Sequence, residues 1–149
     1  MPSIVRLKPD TAPTTLSTAD AMDGLAAGAG VLLSEFDNSA SGVRWPFGIF
    51  ELSCDFAVNP TSGRTVNVYI LPAIDGTNYP DANVTAVQSA PAIEFVVAAS
   101  TSAQRLVSPP VPLPPCKWKA YVVNDADQAF SNDAAHLKVL PHTTEIASS

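Results

Sequence analysis

The chain has 149 residues, 46% of them hydrophobic and 15% charged, which excludes a disordered chain and suits one domain with a real core. The net charge is −6, and the eight basic residues are scattered, so no cluster exists to neutralise a run of phosphates and nucleic acid is excluded as a partner class. An acidic surface suits partners with basic patches instead.

The longest apolar run, about ten residues at 24–33, is broken by glycine and falls well short of a membrane span. The opening "MPSIVRLKPD" has no apolar core of a secretory signal, which points to folding in a reducing cytoplasm. Cys54 and Cys116 match no metal-binding spacing. Free thiols fit that compartment, with a single Cys54–Cys116 bridge as the alternative.

Residues 1–28 differ in texture from the rest. Pro2, Pro9 and Pro13 sit among Ser, Thr and Ala, and the stretch reads as an extended arm. Ser17 and Asp20 make a capping signal, Ala19, Met22, Leu25 and Ala26 follow at helical spacing, and Gly28 is placed to stop the turn. The spacing predicts two or three turns of helix; a frayed terminus is the other reading.

From residue 30 onward the period becomes two. "GVLLSEFD" is a short strand. In "FGIFELSCDFAVNP", Phe50, Leu52, Cys54, Phe56 and Val58 alternate with Glu51, Ser53, Asp55 and Ala57, which predicts a long strand with one buried face. After the turn residues "NPTSGR", "TVNVYIL" puts Val66, Val68 and Ile70 on one face, and the two strands read as a hairpin. A long loop follows at 72–92, containing Asp75-Gly76 and Tyr79-Pro80-Asp81. "IEFVVAAS" places Ile93, Phe95 and Val97 inward, and "QRLVS" is a short strand. "CKWKAYVVND" places Cys116, Trp118, Ala120 and Val122 inward, and "AHLKVL" places Leu137 and Val139 inward before Pro141 ends the strand. About seven strands at this spacing predict an all-β fold, an antiparallel β-sandwich of jelly-roll or Ig-like type, spanning residues 29–149 behind the extended N-terminal arm.

"SPPVPLPPCKW" at 108–118 holds five prolines. Pro112 to Lys117 fits the P-x-x-P-x-basic form read by proline-recognition domains. Strands on both sides pin it, so a stiff crossing or a guarded sheet edge is the stronger reading, because proline lacks the N–H that an incoming strand would need.

Catalytic chemistry is not written in the sequence. There is no nucleophile elbow, no glycine-rich phosphate loop and no cysteine with an evident base. His136 and His142 flank the last strand. Asp125-Ala126-Asp127 opens like a calcium loop, but Ala129 takes the next ligand position and the pattern fails. No cofactor and no metal is expected. Residues 83–85 form a glycosylation sequon that here marks only an exposed loop. The loop residues Asp75, Asn78, Tyr79 and Asp81 put an aromatic beside amide and carboxylate groups, a set used for sugars and for protein contacts.

The succession "VNVYILPAIDGTNYPDA", a proline-bearing strand, and "KWKAYVVNDADQAFSNDAAHLKVLP" resembles small virion structural proteins of tailed bacteriophages over residues 43–141. The resemblance implies a non-catalytic β-sandwich, either a head decoration (cement) protein or a fibre or tail component, made in the host cytoplasm and residing in the virion. It implies the major capsid protein and the chain itself as partners, with a trimer favoured by the threefold positions of capsid lattices. The expected capsid-contact arm covers residues 2–16 and includes Ile4, Val5, Arg6, Leu7 and Lys8; the 72–83 loop is the expected exposed tip. A carbohydrate-binding role for Tyr79 and its neighbours is the alternative.

Overall fold

Period-two alternation predicts strands with one buried face, and strands are what form. The computed structural model describes residues 3–10, 12–18, 20–39, 44–82, 89–132 and 135–148, and only the backbone of 3–7 and 145–148. The strands among them are β1 (Ser3–Pro9), β2 (Thr14–Thr15), β3 (Gly30–Asp37), β4 (Phe47–Cys54), β5 (Thr65–Pro72), β6 (Ile93–Val96), β7 (Gln104–Val107), β8 (Val111–Pro112), β9 (Lys117–Asp125) and β10 (His136–Ser148). The sequon at 83–85, Ala19, and residues 2 and 11 of the expected arm lie outside the described residues.

All pairings are antiparallel. One sheet runs β1-β10-β4-β7, with β2 also on β10 and β8 also on β4; the other runs β3-β9-β5-β6. The registers set β1 and β2 end to end along one edge of β10, and β7 and β8 end to end along the outer edge of β4. With each such pair counted as one interrupted strand, the chain crosses to the opposite sheet at every connection except β5 to β6. That connectivity is a jelly roll rather than an Ig-like sandwich.

The inner faces are the alternating positions. Phe50, Leu52, Cys54, Leu137 and Val139 from the first sheet meet Val66, Val68, Phe95, Trp118, Ala120 and Val122 from the second, all buried. Trp118 is fully buried at the centre. It stacks on Phe36 at 5.0 Å and lies tilted to Phe50 at 6.1 Å. Gly48 belongs to this packing: a Cβ there would come within 2.7 Å of a Val139 methyl and 3.1 Å of Leu113, so any side chain would force the sheet and the proline run apart.

Five expectations are corrected. First, the stretch after Ser17 is turns rather than helix. The Ser17 hydroxyl accepts from the Leu137 N–H at 3.3 Å instead of capping a helix, and Asp20 takes a φ of 68°. Met22 and Leu16 are thereby driven into the same core cluster as the sandwich. Second, β4 and β5 are not a hairpin; they belong to different sheets, so residues 55–64 are a crossing. Third, the buried face stops at Phe56, which packs edge-on against Phe130 at 5.3 Å, while Val58 is 58% exposed. Fourth, Pro141 does not end the last strand. Its carbonyl accepts from the Asp10 N–H at 2.8 Å, its register partner on β4 is Gly48, and β10 continues to Ser148. Cys116, expected inward, is half-buried, and both cysteines are free thiols.

The proline run is an edge. Between β7 and β8 the chain lifts off β4 for Pro109 and Pro110, and Ser108 replaces the missing ladder: its N–H donates to the Phe50 carbonyl and its hydroxyl accepts from the Phe50 N–H, both at 2.9 Å. Asn38, at the end of β3, ties the run down. Its Nδ2 donates to the Trp45 carbonyl at 2.8 Å and the Pro114 carbonyl at 2.7 Å, and its Oδ1 accepts from the Trp45 N–H at 2.9 Å. Asn38 is 1% exposed, so Asn38→Ala leaves part-buried polar groups on two segments without their partner. A loss of roughly 2–4 kcal/mol in unfolding free energy is expected from urea denaturation, with an unchanged m-value.

Candidate functional site

The loop after β5 is organised by one carboxylate. Asp75 accepts from the N–H of Thr77 at 2.9 Å, the N–H of Asn78 at 2.7 Å and the Asn78 side-chain amide at 2.7 Å. Gly76 takes a φ of 79° to make the turn. These bonds, those from Asn78 foremost, hold the Asp75 carboxyl down at about 2. Asp75 and Asn78 therefore satisfy one another.

Tyr79 folds back onto the second sheet. Its hydroxyl donates to Glu35 on β3, and the Lys119 ammonium sits 4.6 Å above its ring. Glu35 also takes Lys117 at 3.2 Å. The Tyr79 hydrogen bond, then Lys117, holds the Glu35 carboxyl below its ordinary range, while desolvation and the Glu35 bond push the Tyr79 phenol up to about 12. The structure thus brings three of the four expected loop residues together around a shallow depression lined by Pro72, Ile74, Asp75, Asn78, Tyr79 and Pro80. Asp81 is exposed and does not line it. Ile74, 90% exposed, is the apolar tip.

Other ionisable groups serve the fold. Burial pushes the Cys54 thiol up to about 12. Asp127 accepts from both the N–H and the hydroxyl of Thr61, 66 residues away, which lowers its pKa and ties two loops together. Among the described residues no group of three His, Cys, Asp or Glu side chains is placed to hold a metal ion.

The outer face of the first sheet carries a surface that the alternation analysis passed over. Positions 47, 49 and 51 of β4 and 138, 140 and 142 of β10 point away from the core, since their neighbours Gly48, Phe50, Leu52, Val139 and Pro141 are buried. Ile49 and Leu140 are register partners there, and with Pro13, Val107, Glu51, Arg105 and Lys138 they line a depression of about 260 Å³. Val107 is 62% exposed and Phe47 37%. Arg105 donates to Glu51 at 2.6 Å at the border. The patch is apolar in the middle and charged at its rim. Its signal was present in the sequence: "FGIFEL" has apolar residues in both phases, and only one phase can face the core.

Beyond this patch lies the expected arm. Backbone pairing runs from Pro9↔His142 to Ser3↔Ser148, so Ile4, Val5, Arg6, Leu7 and Lys8 form a strand on the C-terminal half of β10. Register sets Val5 across from Ile146 and Leu7 across from Thr144. At the junction His142 is buried, stacked on Phe47 at 5.8 Å, with no hydrogen-bond partner at Nδ1 among the described residues.

No protein-family model matches the chain, and neither does any curated protein sequence. Among solved structures, similar ones include a family 35 carbohydrate-binding module from an environmental isolate (15% identity, TM-score 0.38, covering 97% of this chain and 98% of that one). A second is the CBM36-1 domain of a multidomain xylanase from the hindgut metagenome of Trinervitermes trinervoides (9% identity, TM-score 0.39, 98% of both chains). A third is the Xyl-CBM35 domain in complex with a glucuronic acid-containing disaccharide (15% identity, TM-score 0.40, 96% of this chain and 98% of that one). Likenesses this loose transfer neither site residues nor ligand.

Because the Asp75 pKa is depressed, the stabilisation its carboxylate gives this turn is fully present above the ordinary carboxylate range and is lost as pH falls through about 2. An NMR titration of the Asp75 carboxyl carbon is expected to show a midpoint near about 2, against about 3.9 for a free aspartate. The amide signals of Thr77 and Asn78 should move only with that titration.

Proposed function

We propose that the chain is a non-catalytic head decoration (cement) protein of a tailed bacteriophage. In this reading it binds the major capsid protein lattice from outside, as a homo-oligomer with a trimer favoured, and resides in the virion. The observation that carries the reading is the outer face of the first sheet. Ile49, Leu140, Val107 and Phe47 form an apolar patch bordered by the Glu51–Arg105 pair and Lys138. An apolar centre within a charged rim is the anatomy of a protein–protein contact. Repetition of one modest contact over a lattice multiplies its effect without new chemistry.

The double variant Ile49→Lys/Leu140→Lys is expected to bind naked capsids of the encoding phage at least about tenfold more weakly in co-sedimentation. Both positions lie on the outer face, so the thermal midpoint should stay close to that of the unaltered protein. Undiminished binding by this variant would remove the patch from the contact; failure of the unaltered protein to bind would remove the decoration reading.

A second reading, carbohydrate binding at the Tyr79 loop, is favoured by the open depression between Pro72 and Pro80. Against it, Asp75 is saturated by its own loop, and the Tyr79 hydroxyl and one ring face are already engaged by Glu35 and Lys119. On the decoration reading, Tyr79→Ala leaves glycan-array signals unchanged. Glycan binding that disappears in Tyr79→Ala would reverse the order of the two readings.

A further inference from the structure

The charges on the outer face of the first sheet are unevenly matched. Two cations compete for Glu51 on β4: Lys138, its register partner on β10, and Arg105 on β7, the register partner of Ser53. Arg105 takes it, its Nη2 donating to Glu51 at 2.6 Å. Lys138, half-buried, is left with no hydrogen bond or ion pair among the described residues. On the second sheet two lysines are engaged: Lys117 pairs with Glu35 at 3.2 Å, and Lys119 lies over the Tyr79 ring. Arg105 itself is only partly used. Its side chain is 72% exposed, and its Nε and Nη1 donors have no partner among the described residues.

Two cations against one carboxylate therefore line the depression of about 260 Å³, and this face is locally positive in a chain of net charge −6. Ile49, Leu140 and Val107 supply its apolar part. Along β10 the face passes from Leu140 to Lys138 in one two-residue step. That juxtaposition selects an occupant. A purely apolar partner would cover Lys138 and leave its ammonium without water or a counter-charge, which is costly. A basic partner would be repelled. A carboxylate beside an apolar side chain satisfies both halves, and the open side of a guanidinium matches a carboxylate in geometry as well as charge.

We propose that this face receives an acidic partner surface: an apolar side chain enters the depression over Ile49 and Leu140 while an aspartate or glutamate beside it meets Lys138 and the open side of Arg105. The inference rests on the decoration reading for the partner's identity, the capsid lattice, and adds its chemistry. Exposed ion pairs contribute little individually. Their larger effect is on encounter: a net-acidic chain is repelled by an acidic surface at long range, and a locally positive face sets which side arrives first.

Co-sedimentation of the full chain with naked capsids of the encoding phage, repeated across salt concentrations, tests it. Lys138→Glu is expected to bind at least about fivefold more weakly than the unaltered chain at about 0.1 M salt. The two should converge at about 1 M, where the screening length has fallen from about 10 Å to about 3 Å. Lys138→Arg should bind as the unaltered chain does. Lys138→Glu sets a second carboxylate across from Glu51, which strains the sheet, so Lys138→Gln separates charge from folding: weaker binding with a smaller salt dependence is expected at an unchanged thermal midpoint. Carbodiimide coupling of the bound complex should join the Lys138 amine to a capsid carboxylate. Binding by Lys138→Glu and Lys138→Gln that matches the unaltered chain at every salt concentration overturns the proposal and leaves the decoration reading standing. An unaltered chain that does not bind capsids removes both. Self-association of the chain alone that Lys138→Glu abolishes would assign the face to a second copy and likewise overturn the proposal.

Discussion

The structure depends on one strand. β10 is hydrogen-bonded on both sides at Lys138, Val139 and His142, and the register holds there because Leu137 and Val139 must face inward. A slip of one residue would turn both to solvent and bring His136 and Lys138 into the core. Everything else is referred to that register. It aligns β4, which aligns β7 and β8; it receives β2; and it carries its own C-terminal half out beyond the sandwich, where β1 accompanies it. The sandwich and the β1–β10 pair beyond it are consequences of the same strand outrunning its neighbour.

The edges are managed by local chemistry. Along β4, two prolines and Ser108 interrupt the outermost strand, so the side facing solvent cannot serve as a continuous template. Asn38 then fastens the proline run to the end of β3 with three bonds from a buried side chain. Asn124 does the same at the other end of the sandwich, donating to the Leu25 and Gln128 carbonyls at 2.9 Å each.

Much of the sandwich was legible in advance. Strand alternation predicted Phe50, Leu52, Val66, Val68, Phe95, Trp118, Val122, Leu137 and Val139 as inward, and all are buried. The proline run read as an edge, and it is one. The loop at 72–83 read as an exposed tip, which Ile74 and Asp75 are, but Tyr79 is not free: its partner Glu35 lies 44 residues earlier. The helix after Ser17 failed for a related reason. A capping serine and helical spacing are local signals, and Leu137 claimed the hydroxyl from 120 residues away.

Sequence by itself determined the period of each segment and thus the residues of the inner faces, because alternation is a property of neighbouring residues. It also determined the texture of the edges through proline, and the acidity of the surface. Tertiary structure decided which strands are partners, since β4 and β5 are adjacent in the chain yet lie in opposite sheets. It decided that Pro141 could sit inside a strand, with its carbonyl taken by Asp10 and Gly48 opposite. It also joined Ile49 and Leu140 into one patch and the two ends of the chain into one ribbon. Each of these rests on contacts between residues far apart in sequence, and no local pattern encodes them.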